Sequence, residues 1–208
     1  MNDYDTIAKS FAITRKKHMM QKEISLILPY INDNTHVLDI GCGSGRLLEY
    51  ASIQHYTGVD NSKELLNIAR HTYPTHRFIE ADMTDLHCID TASKDIIILL
   101  ASFHHLLNTT SQHQCMREIM RILKDNGRVY MTCWHLPDKY KWYNYRRLRY
   151  RNWIIPFGNE RQKRVYRRVC MGDLYALCKH YNLAIELLGN TYHKDNTPAN
   201  VILMAQKR

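Results

Sequence analysis

The sequence lacks the features of membrane-spanning, disulfide-stabilised and metal-stabilised proteins. Its longest apolar run, residues 96–101, falls far short of the ~20 residues that a membrane span needs. The first residues include Asp3 and Asp5 and show no apolar signal-peptide region. Six cysteines and twelve histidines are scattered without a C-x-x-C pair, an H-E-x-x-H motif or metal-ligand spacing. We therefore expect a cytoplasmic protein with reduced thiols and no metal.

Acidic residues are almost absent from one segment. Residues 139–168 hold eleven Lys and Arg against a single acid, Glu160, in a chain of net charge +9. The rest of the chain carries 18 basic and 19 acidic residues and is close to neutral. The positive charge is therefore local, which favours a polyanionic partner over a general role in solubility.

Glycine is also scarce, with eight in 208 residues, yet three of them fall within the stretch HVLDIGCGSG, residues 36–45. The apolar residues before them predict a short buried strand, and the residues after them predict the start of a helix. Gly41, Gly43 and Gly45 would let the backbone turn tightly and approach a ligand where a Cβ would collide. This arrangement places a ligand at the carboxyl end of the first strand.

Asp39 precedes this glycine loop by two residues, where its carboxylate can meet a cationic group such as an α-amino group. The spacing is G-x-G-x-G, not the dinucleotide G-x-G-x-x-G, and a pyrophosphate would be repelled by Asp39. The stretch resembles motif I of the class I methyltransferases that use S-adenosylmethionine (SAM). The alternative is a glycine-rich turn with a purely structural role.

Two further acids lie at predicted strand ends. Asp60 ends HYTGVD, where it can take both ribose hydroxyls of an adenosine ligand, and Asp82 ends HRFIEAD, where the SAM fold places an acid near the adenine amino group. Asp82 taken alone could equally be an acid of a surface turn. We therefore predict SAM as the cofactor, bound by Asp39, Gly41, Cys42, Gly43, Gly45, Asp60, Asn61, Asp82, Met83 and Ala101.

Strands and helices alternate through the first 134 residues, which predicts a parallel α/β sheet. We expect an α/β, Rossmann-like class I methyltransferase sheet of seven mostly parallel strands, with an antiparallel edge strand and helices on both faces. Helices are expected at 46–51 and from a cap at Ser111 to Asn126-Gly127, and the fifth strand at 127–134. Residues 1–208 are predicted to form a single domain, with a helical cap at 1–31 and a basic-aromatic insertion at 135–170.

The chain resembles the transfer-RNA wobble-uridine carboxymethyl methyltransferases over most of its length. The resemblance is carried by YDTIAKSFAITR (4–15), FHHLLNTT (103–110), the strand ending in Trp134, and WIIPF (153–157) followed by Arg164-Val165-Tyr166. The chain departs from that family at Arg167, where a histidine is usual, and at Gln112-His113-Gln114. The resemblance implies methylation of a carboxymethyl-type uridine in transfer RNA, and a small activator subunit is a possible partner.

A carboxylate acceptor is already an anion at pH 7, so it needs positioning more than a base. Arg15 would be a suitable bidentate clamp for that carboxylate. His104 and His105, at the exit of the fourth strand, would orient the acceptor, or could merely shape the pocket. Trp134 completes the predicted catalytic set.

Eight aromatic residues are interleaved with the basic residues of 139–168. Cations neutralise phosphates and aromatic faces stack on unpaired bases, so we expect single-stranded RNA to bind here, with no DNA and no membrane. The residues predicted to contact RNA are Arg146, Arg147, Arg149, Trp153, Arg164, Tyr166 and Arg167. The alternatives are a basic lid over a small acidic metabolite, methylated at a carboxylate or hydroxyl, and a non-catalytic SAM- or RNA-binding subunit.

Overall fold

The structure is a computed structural model that describes residues 4–8, 12, 20–135, 146–147, 151–157 and 160–208. The α-helices in these ranges are α1 (Gln21–Ile27), α2 (Lys63–Thr72), α3 (Thr109–Ile122) and α4 (Met171–His180). The strands are β1 (His36–Ile40), β2 (His55–Asp60), β3 (Arg77–Glu80), β4 (Lys94–Leu100), β5 (Leu123–Trp134), β6 (Arg146–Arg147), β7 (Asn152–Phe157), β8 (Glu160–Arg167), β9 (Leu183–Tyr192) and β10 (Pro198–Lys207). Short 3₁₀ turns occupy Leu28–Tyr30, Arg46–Glu49 and Phe103–His105.

Seven strands form one sheet in the order β3-β2-β1-β4-β5-β10-β9. The first five are mutually parallel, whereas β10 runs antiparallel to both β5 and β9. The predicted fold class is therefore confirmed. The antiparallel strand β10 lies one place in from the edge, and β9 forms the edge itself.

The alternation of side chains along β1 divides the core between the two faces of the sheet. Leu38 and Ile40 lie in a cluster with buried residues of α3 and α4. Val37 lies in a second cluster, with buried residues of α1 and α2. Helices thus cover both faces, as expected for a largely parallel sheet whose central strands are apolar throughout.

The functional edge of the sheet is set by its strand order. β1 lies between β2 and β4 in the sheet. The strands that follow β1 are added first on one side, as β2 and β3, and then on the other, as β4 and β5. This change of side opens a crevice at the carboxyl ends of the strands. The glycine loop leaves β1 directly into this crevice.

Three local predictions were wrong in their bounds. Residues 46–49 form one 3₁₀ turn, because β2 begins at His55 and leaves room for little more. Helix α3 is capped by Asn108, whose side chain accepts from the backbone N–H of Ser111, so Ser111 is inside the helix. The helix ends at Ile122, and β5 follows at once with a register irregularity opposite β4.

The basic-aromatic segment contributes a separate antiparallel sheet in the order β6-β7-β8. Trp153 of β7 pairs across with Tyr166 of β8, and both are buried together with Ile155. Trp134, at the end of β5, packs against this cluster. The small sheet therefore joins the main sheet beside the carboxyl end of β5. In the described ranges, no helix has the length and apolar character needed to cross a membrane.

Candidate active site

A cavity of about 340 Å³ lies at the carboxyl ends of β1, β2 and β4. All three acids predicted to bind cofactor, Asp39, Asp60 and Asp82, line it. Tyr4 and Ala12, from the start of the chain, form part of its wall. Of the ten predicted cofactor residues, nine line this cavity, and Gly45 is the exception.

The glycine loop is held against the end of β4. Gly41 has φ +75, and a Cβ at this position would lie 2.4 Å from Cβ of Ser102. The Ser102 hydroxyl donates to the carbonyl oxygen of Ile40 at 2.6 Å, which fixes the contact from the other side. Gly41 is therefore required by packing and backbone conformation alike.

Gly45 serves the fold instead of lining the cavity. Its φ is +83, and a Cβ there would lie 2.9 Å from the ring of Tyr73. Gly45 begins the 3₁₀ turn Arg46–Glu49 that follows the loop. The sequence pattern could not separate this structural glycine from Gly41 and Gly43, which both line the cavity.

Asp39 is buried in the floor of the cavity. The Tyr56 hydroxyl donates to its Oδ2 at 2.9 Å. Among the described residues, its other oxygen, Oδ1, has no hydrogen-bond partner. Burial raises the pKa of Asp39 to about 7, although the Tyr56 hydrogen bond opposes that shift. A buried carboxylate oxygen left without a donor at a cavity wall is suited to a cationic ligand group.

Asp60 is oriented by the backbone on both sides. Gly43 N donates to its Oδ2 at 2.8 Å, and Ser62 N donates to its Oδ1 at 2.9 Å. Each oxygen keeps further acceptor capacity, so the carboxylate can still receive two hydroxyl groups. Burial raises the pKa of Asp60, and these backbone donors work in the opposite direction.

Asp82 and Ala101 close the cavity from the β3 and β4 sides. Asp82 Oδ1 accepts from the backbone N–H and the hydroxyl of Thr84, at 2.8 and 2.6 Å. Ala101 has a φ of 53, uncommon for a residue with a Cβ, and its N–H donates to the carbonyl and hydroxyl oxygens of Thr132. A strained backbone held by such contacts is typical of ligand sites.

His105 forms the polar edge of the cavity beside the small sheet. Its Nε2 lies 3.3 Å from the hydroxyl of Tyr4, which in turn lies 3.1 Å from the hydroxyl of Tyr166. The His105 ring lies 4.8 Å from the ring of Tyr166, centroid to centroid. Three residues that are far apart in the sequence thus meet at one point.

His104 lies behind His105 and does not line the cavity. It is fully buried, and its Nδ1 accepts from the backbone N–H of Trp134 at 3.3 Å. Its ring contacts the rings of His105, Trp134 and Tyr166. His104 and Trp134 therefore pack behind His105, and their predicted catalytic role stays a prediction. Arg15, the predicted carboxylate clamp, lies outside the described residues.

Three of the predicted RNA-binding residues are buried, one forms hydrogen bonds to the β4–α3 loop and α3, and the side chains of the other three lie outside what the structure describes. Trp153, Arg164 and Tyr166 are at most 7% exposed, and the Arg164 guanidinium lies over the rings of Trp134 and Tyr166. Their burial conflicts with the expectation that the rings of Trp153 and Tyr166 stack on bases at an open surface. Arg167 donates to the carbonyl of Leu107 and the hydroxyl of Thr109. Arg149 and the side chains of Arg146 and Arg147 lie outside what the structure describes.

Sequence reasoning missed Tyr4, Tyr56 and Ser102. Tyr56 could have been suspected, because it lies two residues before Gly58, the β2 partner of Asp39, and so shares a face with Asp39. Tyr4 and Ser102 carry no such local signal, since their partners are distant in sequence. Among the described residues, no group of three or more His, Cys, Asp or Glu could hold a metal ion.

The cavity fits SAM on its own geometry. Asp39 Oδ1 is a buried acceptor without a partner among the described residues, and Asp60, Asp82 and Met83 line the same cavity, so the residues predicted to meet the α-amino group, the ribose and the adenine lie together. The Gly43 backbone is open to close approach, since a Cβ there would meet only Leu65, at 3.8 Å.

Comparison with known proteins agrees with this geometry. The methyltransferase domain family matches residues 38–131. A protein from Encephalitozoon cuniculi that is named as a methyltransferase is 30% identical over 138 residues, which is 66% of this chain and 63% of that protein. The tRNA (carboxymethyluridine(34)-5-O)-methyltransferase of Xenopus tropicalis is 29% identical over 140 residues, or 66% of this chain and 21% of that protein. The chain thus spans less than two thirds of either relative.

Solved structures share the fold at low identity. A Haloferax volcanii protein named as a methyltransferase, solved in complex with the Trm112 methyltransferase activator, superposes with a TM-score of 0.72 at 17% identity, covering 98% of this chain and 95% of that one. The Burkholderia thailandensis 1,6-didemethyltoxoflavin-N1-methyltransferase, solved with S-adenosylhomocysteine, gives a TM-score of 0.69 at 16% identity, covering 98% and 84%. Residues 38–131 thus match a methyltransferase domain in sequence, the chain has the fold of methyltransferase structures, and both findings support S-adenosylmethionine as the cofactor.

Proposed function

We propose that this chain transfers a methyl group from SAM to the carboxylate of a carboxymethyl-type uridine at the wobble position of cytoplasmic transfer RNA. The observation that carries the proposal is the meeting of His105 and Tyr4 at the edge of the cofactor cavity, beside the sheet formed by the basic segment. The similarity to the Xenopus tropicalis enzyme supports the same acceptor.

The reaction needs orientation more than proton transfer. SAM supplies an activated methyl group, and a carboxylate attacks as the anion that it already is at pH 7. His105 and the Tyr4 hydroxyl offer polar groups that can hold an acceptor in line, while the buried ring of Tyr166, packed against the partly buried ring of Trp134, would limit water beside His105. Basic residues of 139–168 other than Arg151, paired with Asp173, and the buried Arg164 would neutralise the phosphates of the anticodon arm.

A direct assay tests this proposal. The chain is incubated with SAM and an anticodon stem-loop that carries 5-carboxymethyluridine, with and without a Trm112-type activator, since a structural neighbour was solved with one. The expected product is the methyl ester, detected by nucleoside mass spectrometry. The matched control is the same stem-loop with unmodified uridine, which should gain no methyl group.

A second candidate is methylation of a small acidic metabolite. It is favoured by the burial of Trp153 and Tyr166, because buried rings offer no open surface on which bases could stack. Free 5-carboxymethyluridine nucleoside and a panel of small carboxylates, assayed beside the stem-loop, separate the candidates. Turnover on the free acids but not on the stem-loop would replace the RNA proposal with this one.

A further inference from the structure

The start of the chain contacts both halves of the site through neighbouring residues. On the acceptor side, the Tyr4 hydroxyl bridges His105 Nε2 at 3.3 Å and the Tyr166 hydroxyl at 3.1 Å. The rings of Tyr4 and His105 meet edge to face, with centroids 5.4 Å apart. Tyr4 therefore touches the one predicted catalytic histidine that lines the cavity.

On the cofactor side, the next residue reaches the ribose carboxylate through one intermediary. Asp5 Oδ1 accepts from the Ser62 hydroxyl at 2.6 Å and from the backbone N–H of Glu64 at 3.1 Å. The Ser62 N–H donates to Asp60 Oδ1 at 2.9 Å. The Asp5 carboxylate also lies at the positive N-terminal end of α2, which favours a negative charge.

The residues that follow anchor this segment. Ile7 N and Ala8 N lie 3.3 and 3.4 Å from the carbonyl oxygens of Tyr4 and Asp5. Ile7 and Ala8 are buried, and they pack with Leu65 of α2. Tyr4–Ala8 is thus a hydrogen-bonded turn that the buried residues Ile7 and Ala8 anchor. The side chains of Tyr4 and Asp5 therefore cannot move independently over large distances.

We propose that Tyr4–Ala8 couples the two halves of the site, with Asp5 as a positioning residue for Asp60 and Tyr4 as a positioning residue for His105. This rests on the SAM-binding part of the proposed function. When a ribose engages Asp60, the Ser62 loop is held in place, and Asp5 then holds the turn that sets the Tyr4 hydroxyl against His105. Cofactor binding would in this way order the acceptor end of the cavity.

The cofactor arm is tested by binding, without any acceptor. Asp5→Ala in the full chain should weaken SAM binding by roughly tenfold in calorimetry, as expected for loss of a hydrogen bond to a charged group that fixes Asp60. Glu64→Ala is the matched control, because it removes another acid from the first turn of α2 while leaving the Asp5–Ser62 contact intact. Glu64→Ala should bind SAM as the parent does. Melting temperatures of both variants show whether either is merely unfolded.

The coupling itself is tested by hydrogen exchange with S-adenosylhomocysteine as the probe. The probe should slow amide exchange at Ile7 and Ala8 in the parent chain and in Tyr4→Phe, but not in Asp5→Ala at a concentration that saturates it. The proposal is overturned if Asp5→Ala binds SAM as tightly as the parent. It is also overturned if the probe does not slow exchange at these amides in the parent. Neither measurement needs RNA, so a failed acceptor assay would not affect them.

The acceptor arm is tested by kinetics on the stem-loop that carries 5-carboxymethyluridine. Tyr4→Phe should lower kcat and weaken SAM binding much less than Asp5→Ala does, because the hydroxyl holds His105 and makes no contact with Asp60. Tyr175→Phe, which removes a hydroxyl from an exposed tyrosine on α4, is the control and should leave kcat unchanged. Equal kcat in Tyr4→Phe and the parent would remove Tyr4 from the proposal.

Discussion

Asp39 combines burial with a single donor among the described residues, Tyr56, and as the proposed partner of the SAM α-amino group it should make cofactor binding sensitive to pH. Its pKa is raised to about 7 by burial, and only the ionised form attracts a cationic α-amino group. Affinity for SAM should therefore fall as pH decreases through 7, by about tenfold between pH 8 and 6 as the carboxylate is protonated. Calorimetric titrations across pH 5.5–8.5 would measure this.

Tyr56→Phe provides the matched test of that explanation. Loss of the hydroxyl removes the hydrogen bond that stabilises the Asp39 carboxylate, so its pKa should rise further and the decline in affinity should begin at higher pH. An identical pH profile in the two chains would show that Asp39 does not control binding.

The same carboxylate should cost the fold stability at neutral and alkaline pH. Because its pKa is raised from 3.8 to about 7 on folding, the folded chain holds a proton that the unfolded chain releases within this window. The contribution of Asp39 to the free energy of unfolding therefore decreases as pH rises through the window and stays low above it. Asp39→Asn should melt above the parent at pH 8, with the difference shrinking towards pH 4, while binding of SAM is lost. Equal melting temperatures at pH 8 would contradict the assignment.

Gly41 offers a test of the packing at the loop. In Gly41→Ala the new Cβ would meet Cβ of Ser102 at 2.4 Å, at a φ of +75. Overpacking and backbone strain together should lower the free energy of unfolding by on the order of 2–4 kcal/mol. Gly189→Ala is the control, because a Cβ added there would have no described atom within 4 Å. Urea unfolding should show a much larger loss of unfolding free energy in Gly41→Ala than in Gly189→Ala. Similar losses would mean that the loop moves to accommodate the added methyl group.

At the residue scale, the sequence predicts correctly that three acids lie close together. Asp39, Asp60 and Asp82 line one cavity because each lies at or near the carboxyl end of a parallel strand and these ends meet at one edge of the sheet, while their roles toward a cofactor stay predictions. Ser102 and Tyr4 were missed because their partners, Gly41 and His105, lie more than 60 residues away. No periodicity or spacing encodes such contacts.

At the scale of elements, the small sheet is tied to α4 by one forked ion pair. The Arg151 guanidinium donates to both carboxylate oxygens of Asp173 at 2.9 and 3.0 Å, and Asp173 also accepts from Cys170 N at the start of the helix. These donors keep the pKa of Asp173 below its usual value against the effect of burial. The ion pair is therefore intact at pH values above the ordinary pKa of a carboxyl group. It is lost only when the pH falls far enough to protonate Asp173.

Arg151→Lys should loosen this tie, since an ammonium group cannot reproduce the fork. The pair is partly exposed, so the loss should be modest, about 0.5–1 kcal/mol, and local. Hydrogen exchange should become faster in β7 and β8 while β1 and β4 are unchanged. Arg128→Lys, which breaks a similar fork to Glu186 between β5 and β9, should leave β7 and β8 as they are. Equal acceleration in both variants would show a global effect.

The sequence predicts an element boundary well where a change in the hydrophobic pattern marks it. It predicts the boundary less well where two neighbouring residues could both cap a helix. β2 occupies its predicted residues, 55–60, and the polar residues Gln54 and Asn61 flank it. The start of α3 was assigned to Ser111, yet Asn108 provides a better cap because its side-chain oxygen reaches Ser111 N. The basic segment gave no strand pattern, since its pairing is sustained by cross-strand neighbours such as Trp153 and Tyr166.

For the whole molecule, the distribution of charge separates two activities. Residues 139–168 carry the excess positive charge, whereas the cavity is lined by four acids and Arg46 and belongs to the nearly neutral remainder. Binding of a polyanion and binding of SAM should therefore respond differently to salt. This separation can be seen in the sequence, because a charge count needs no structure, but the burial of Arg164 within β8 cannot.

Neutralising Arg146, Arg147 and Arg149 together tests where RNA binds. If these side chains contact phosphates of a single strand, each lost contact removes roughly 0.7 from the slope of log affinity against log salt, so the slope should flatten by about 2. The dissociation constant of SAM should not change. A control chain with three exposed lysines neutralised outside the segment, Lys22, Lys63 and Lys179, loses the same net charge and should keep the parent slope. Equal flattening in both chains would mean that net charge, and not this segment, attracts the RNA. An unchanged slope in the first would place the phosphates elsewhere and strengthen the case for a small acidic acceptor.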